Sequence, residues 1–144
     1  MAYTPEENNQ IAKDFFETAW NYGDFSVLDK YLTPDSMDYS TLHGHPEQGS
    51  DSFRQIISMF RAGFPDIHLT IEDEIYTGDK VVHRWVLSGT HSEPFMGMPA
   101  TGKQVAFNGM TIVEMHDGKI AGRWSIPDMM GLMTQLGAVP PPPA

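Results

Sequence analysis

Asp128 ends the run Lys119-Ile-Ala-Gly-Arg-Trp-Ser-Ile-Pro127 and opens the run Met129-Met-Gly-Leu-Met-Thr-Gln-Leu136. The first run reads as a strand, and the second has the apolar spacing of a helix. An acid at such a junction has two uses. Its carboxylate can cap the helix by accepting from backbone N–H groups of the first turn. It can also stand at the rim of an apolar cavity, where desolvation raises its pKa into the range useful for moving protons on and off carbon. Spacing by itself favours the cap and leaves the acid open.

Arg84 is the second residue of chemical interest, because it interrupts the apolar strand Val81 to Thr90. On a sheet with one wet face, such an arginine belongs outside. Turned inward, its guanidinium pairs with Asp128 or holds an enolate or carboxylate oxygen. His43 and His45 share a loop near Glu47 and Asp38, but no third ligand stands at a fixed spacing, so no metal is expected. His68 and His116 read as surface residues, and His83 falls on the strand face opposite Arg84. His91 either anchors its loop by hydrogen bonds or touches a ligand.

Helices must come first in the elements that position these groups. Thr4-Pro5-Glu6-Glu7 is a helix start, and Ile11, Phe15, Phe16, Ala19 and Trp20 recur at helical spacing up to Tyr22-Gly23. A short helix follows over 25–31, then a short strand over 37–41 and a loop over 43–49. Ser50-Asp51 reads as the cap of a third helix that closes at Gly63. Strands then run over 67–76, 81–90, 103–115 and 119–126, with Asp117-Gly118 as a hairpin turn. Helices followed by antiparallel strands predict an α+β domain with helices on one face of a curved sheet.

Composition narrows the partners. The 144 residues carry a net charge of −10 with nine scattered Lys and Arg, which makes nucleic acid and anionic membranes poor partners. There is no cysteine, which excludes disulfides, thiolate metal sites and thiol nucleophiles. The acidic start is not a signal peptide and no apolar run reaches membrane-spanning length, so a cytoplasmic location is expected. Ten Met, eight Phe, five Tyr and three Trp suit either a soft core or a pocket for a flat ligand. One domain is expected over 1–137, with the proline-rich 138–144 as a tail that ends it or lies against a neighbouring subunit.

Several motifs fall in a familiar order: Phe64-Pro-Asp-Ile-His-Leu-Thr70, Gly78-Asp-Lys-Val-Val82, Arg84-Trp85, Gly89-Thr-His91, Phe95-Met-Gly-Met-Pro-Ala-Thr-Gly-Lys103, Asp117-Gly-Lys-Ile120 and Pro127-Asp128-Met-Met-Gly131. From about Ile11 to Gly137 the chain resembles the SnoaL-like polyketide cyclases and ester cyclases of the nuclear transport factor 2-like superfamily. The resemblance implies a cone, in which a bent antiparallel sheet wraps N-terminal helices around an internal apolar cavity. It also implies homodimers or higher homo-oligomers packed through the sheets, and an aldol-type ring closure that needs no cofactor. Asp128 is then the general acid/base, helped by Arg84 and His91, and the ligand is a small apolar or aromatic molecule bearing carbonyls.

Trp20 matches an aromatic position at the pocket of such cyclases. Strand alternation puts Phe107, Gly109, Thr111 and Val113 on one face, and Trp124 and Ile126, on the strand leading to Asp128, complete the expected binding set. Gly109 and Thr111 stand where the cyclases carry polar side chains facing the acid, so the cavity is expected to be roomier and drier. That departure keeps a non-catalytic small-molecule binding protein as the alternative. Limonene-epoxide-hydrolase-like chemistry is disfavoured, because the first Asp of its Asp-Arg-Asp set falls near Val86.

Overall fold

The computed structural model describes residues 2–40, 44–140 and 143. Helix α1 (Pro5–Tyr22) starts from a capping box in which Thr4 Oγ1 accepts from Glu7 N at 3.1 Å and Glu7 Oε1 accepts from Thr4 N at 3.2 Å. It ends at Gly23, whose φ of 63° is the left-handed conformation that closes helices. Helices α2 (Ser26–Tyr31) and α3 (Asp51–Gly63) follow. Ser50 does not cap α3 as expected. Its backbone is already near helical angles, and its hydroxyl accepts from Arg54 Nη1 at 3.3 Å instead.

Six strands form one open sheet in the order β2-β1-β6-β5-β4-β3. They are β1 (Leu32–Asp38), β2 (Glu47–Gln48), β3 (His68–Thr77), β4 (Lys80–Thr90), β5 (Gln104–His116) and β6 (Lys119–Pro127), and helix α4 (Met129–Leu136) closes the order. Strand β1 begins directly after α2, earlier than the expected 37–41, and Thr41 lies outside the described residues. The two-residue β2 falls where only a loop was expected.

The sheet is mixed, because β1 pairs with β6 in parallel while the other pairs are antiparallel. Most of the chain separates β1 from β6, so no hairpin fixes their relative direction. Between β5 and β6, Asp117 and Gly118 have φ of 49° and 74°, the two positive values that a type I′ hairpin turn demands.

Helices cover one face of the sheet. Phe15, Phe16, Ala19 and Trp20 of α1 and Phe53, Ile57 and Phe60 of α3 are buried with Val81, Leu87, Val105, Phe107 and Val113 of the strands. Burial of each large side chain contributes about 1.5–3 kcal/mol. Ile75, Met110, Ile112, Trp124 and Ile126 are exposed on the opposite face. Among the described residues no helix is long and apolar enough to cross a membrane.

Candidate functional site

Strand register lines up the inward side chains in rows. His83, Thr111 and Ser125 are neighbours across β4, β5 and β6, and Trp85, Gly109 and Pro127 form the next row. Two cavities of about 30 Å³ each lie between these rows and the helices. Trp20, Trp85, Leu87, Arg123 and Ser125 wall both; Phe60, Phe107 and Pro127 add to the first, and Phe16, His83 and Thr111 to the second. Each has room for only a water or two.

The expected roomier cavity is therefore corrected. Trp85 lies over Gly109 so closely that a β-carbon there would overlap the indole. Its Nε1 donates to Thr111 Oγ1 at 2.8 Å, and that hydroxyl also bonds Ser125 Oγ at 2.9 Å. The space that glycine vacates is filled by tryptophan, and the Thr111 hydroxyl is engaged.

Asp128 is the N-cap of α4: Oδ1 accepts from Gly131 N at 2.8 Å, and the residue is exposed. Its own N–H is held by Asn108 O at 2.8 Å. Pro127, one residue earlier, is in the wall of the first cavity, whereas Asp128 lines neither cavity and its carboxylate is turned to the helix. Trp20 and Phe107 line the first cavity and Thr111 the second.

Four expected placements differ. Arg84 is on the outer face, where Nε donates to Asp73 Oδ2 at 2.6 Å; it is exposed and reaches neither Asp128 nor a cavity. Val86 has the same parity as Arg84 and also faces away from the cavities, so the inward residues at this height are His83 and Trp85. Trp124 stacks on Tyr39 at 4.7 Å on the outer face, and Ile126 is 67% exposed. The β6 side chains that reach the cavities are Arg123, Ser125 and Pro127, because parity and not polarity decides the face. His91 lines neither cavity. It is buried against Phe64, its Nδ1 is 2.9 Å from Thr101 Oγ1, and its backbone is tied to Lys103 and Gly102, so it anchors the loop after β4.

No group of three metal-ligating side chains occurs among the described residues. His43 lies outside them, and His45 is exposed beside Glu47 at 3.6 Å. Asp38 is already engaged. Arg123 Nη2 donates to its Oδ2 at 2.7 Å and Arg123 Nε to its Oδ1 at 3.3 Å, with further bonds from Ser52 Oγ and Ser40 N. Both residues are at least 97% buried, at 1% and 3% exposure. Burial alone pushes the Asp38 carboxyl up, but the Arg123 charge and bonds from Ser40 and Arg123 more than offset it and hold it below its usual range. The Arg123 guanidinium also lies 4.2 Å over the Phe53 ring.

His83 is the other inward group missing from the expected set. Its Nε2 is 2.8 Å from Asn9 Oδ1, and Asn9 Nδ2 donates to Glu74 Oε1 at 2.9 Å. Burial pushes its pKa down to about 4 despite the nearby Glu74 carboxylate, so the ring is neutral at pH 7.

A bent open sheet over helices, with a small apolar interior crossed by one row of polar side chains, defines an α+β cone. The family model for SnoaL-like polyketide cyclases matches residues 10–136. The chain belongs to that family, with the nuclear transport factor 2-like fold. It is 31% identical over 121 residues to nogalonic acid methyl ester cyclase of Streptomyces nogalater, covering 83% of this chain and 90% of that one. Aklanonic acid methyl ester cyclase DauD of a Streptomyces species is 29% identical, over 81% of this chain and 71% of its own. Among solved structures, TsrD of Streptomyces laurentii superposes with a TM-score of 0.83 at 30% identity, covering 96% of this chain and 100% of that one. AclR of Streptomyces galilaeus, described as a candidate hydroxylase, gives 0.86 at 26% identity, covering 97% and 87%.

Proposed function

We propose that this chain is a cofactor-free polyketide cyclase that closes a carbon ring by an intramolecular aldol-type step, with Asp128 as acid/base. One observation supports the reading: Asp128 directly follows Pro127, which lies in the wall of the first cavity. The carboxylate leaves the Gly131 N–H and turns inward. It takes a proton from a carbon flanked by two carbonyls, and the enolate carbon attacks an aldehyde or ketone carbon of the same molecule. The new alkoxide then recovers the proton from the Asp128 carboxyl, so one carbon–carbon bond forms without net redox change. Apolar walls hold the reacting ends together and exclude water. Trp20, Phe107 and Thr111 contact the ligand.

Nogalonic acid methyl ester and aklanonic acid methyl ester, after which the relatives are named, are the first substrates to offer. Asp128→Asn is expected to lower turnover at least about a hundredfold while leaving affinity nearly unchanged. Full turnover by that variant would end the assignment. The second reading, a binding protein of the same fold, is favoured because Gly109 has no side chain and the Thr111 hydroxyl is already bonded to Trp85. Tight binding without turnover by the wild type selects it.

The chain is further proposed to act in the cytoplasm as a homodimer joined through the outer sheet face. Ile112 pairs with Trp124 and Met110 with Ile126, which makes an exposed apolar band across β5 and β6. A monomeric mass by sedimentation at micromolar concentration would reject this assembly.

A further inference from the structure

His83 has two ring nitrogens and only one is engaged among the described residues. The Asn9 amide donates through Nδ2 to Glu74, so its Oδ1 is an acceptor and His83 Nε2 must carry the proton that meets it. Lys13 Nζ lies 3.4 Å from Glu74 Oε2 and steadies the outer end of this chain of contacts. The tautomer is thereby set, and Nδ1 has no hydrogen-bond partner among the described residues, on a ring that is 2% exposed and lines the second cavity. Its lone pair is open to whatever occupies that cavity and takes a donor there. Protonation does not supply one, because burial keeps the ring neutral down to about pH 4.

The register of the sheet shows how far this group stands from Asp128. Asp128 is bonded at the level of Asn108, whereas His83 pairs with Thr111. Three residues along β5 correspond to about 10 Å at roughly 3.4 Å per residue. Trp85 stands between the two levels and forms a wall of both cavities.

We infer that His83, with Thr111 and Ser125 beside it, is a hydrogen-bonding station for a ligand hydroxyl, at the end of the interior remote from Asp128. Nδ1 accepts from the hydroxyl of a phenol or enol, while Thr111 and Ser125, freed when the Trp85 indole swings aside, serve its oxygen. A ligand that uses both ends carries that hydroxyl about 10 Å from the carbon that meets Asp128. Such a spacing suits a flat fused-ring skeleton. The inference deepens the proposed function and rests on the interior being a ligand site.

Phenol and toluene test it, since they differ by a hydroxyl against a methyl group of similar size. Affinities of both for the full chain are measured by NMR titration, for wild type and His83→Phe. The ratio of the two affinities, which cancels their difference in hydration between proteins, is expected to shift toward toluene by about tenfold in the variant. In wild type labelled with nitrogen-15, the unprotonated imidazole nitrogen should shift on adding phenol and stay in place on adding toluene. That reading needs no variant, so a poorly folded His83→Phe does not rescue the idea. If both probes bind and neither the ratio nor the nitrogen signal responds, the His83 station is wrong while the ligand site stands. If neither probe binds, both readings fall together.

Discussion

Trp85 and Gly109 occupy one volume: they are partners across β4 and β5, and the indole lies where a side chain at residue 109 would project. Gly109→Ala must push the ring away, and Ile126 O, 2.8 Å from the new β-carbon, closes the other direction. Overpacking of this kind costs about 1–3 kcal/mol. The ring would also lose its bond to Thr111, so tryptophan fluorescence should change together with the melting temperature. Trp85→Leu in the same chain should recover only part of the loss, because the backbone oxygen stays. A Gly109→Ala protein as stable as wild type would show that the indole does not pack there.

The buried pair Asp38–Arg123 makes a prediction of a different kind. Asp38→Asn leaves a guanidinium in the interior with no counter-charge, and such losses cost about 3–5 kcal/mol. Replacing both, Asp38→Leu with Arg123→Met, removes the need for the pair and should cost less than Asp38→Asn alone. Denaturant melts of the three proteins decide it. A double variant less stable than the single one would mean that packing on Phe53 and the bonds to Ser40 and Ser52 matter more than the charges.

These residues also show which parts of the site the sequence makes legible. The hairpin turn at Asp117-Gly118 and the alternation of β5 are readable because local chemistry and burial agree: Phe107, Thr111 and Val113 are buried while Asn108, Met110 and Ile112 are not. Strand β6 reverses the usual rule. Beyond the buried Ile120, its large apolar side chains Trp124 and Ile126 face out, and a charged one, Arg123, faces in. Nothing in β6 itself signals this, since the partner that makes Arg123 tolerable is Asp38, on a strand paired only in the folded state. For the same reason His83 reads as an ordinary strand residue until α1 brings Asn9 to its ring. Arg84 shows the converse, an arginine that looks functional within its strand and finds Asp73 on the neighbouring one.

Acid should weaken the fold in two stages with the same sign. His83 has a folded pKa of about 4, below its usual 6.5, so between these values the unfolded chain binds a proton that the folded chain refuses. Stability therefore falls as pH drops from about 6.5 to about 4, by up to about 3 kcal/mol, and this contribution then levels off. Asp38 acts lower down. Its folded pKa is depressed, so its contribution is present above the usual carboxylate range and is lost as pH falls through the folded value. Replacing His83 with Phe should flatten the first stage and leave the second, as read from denaturant midpoints across pH. An unchanged first stage would assign it to another group.

Asp128 and Gly131 allow the helix cap to be separated from the acid. A β-carbon at residue 131 would run into the Asp128 carboxylate, so Gly131→Ala expels that carboxylate from the cap while keeping it in the chain. Loss of the cap should cost about 1 kcal/mol, which the exchange of a helical glycine for alanine offsets by up to about 1 kcal/mol. Asp128→Ser does the reverse, because serine caps well but cannot serve as the acid, and its stability should stay within about 0.5 kcal/mol of wild type. If Asp128 acts on substrate, Asp128→Ser loses turnover at nearly full stability, whereas Gly131→Ala keeps turnover although the cap is gone. Ring-closure rates therefore separate the two proteins, with thermal melts as the control for folding. Rates that merely follow stability in both would leave Asp128 as a cap and no more.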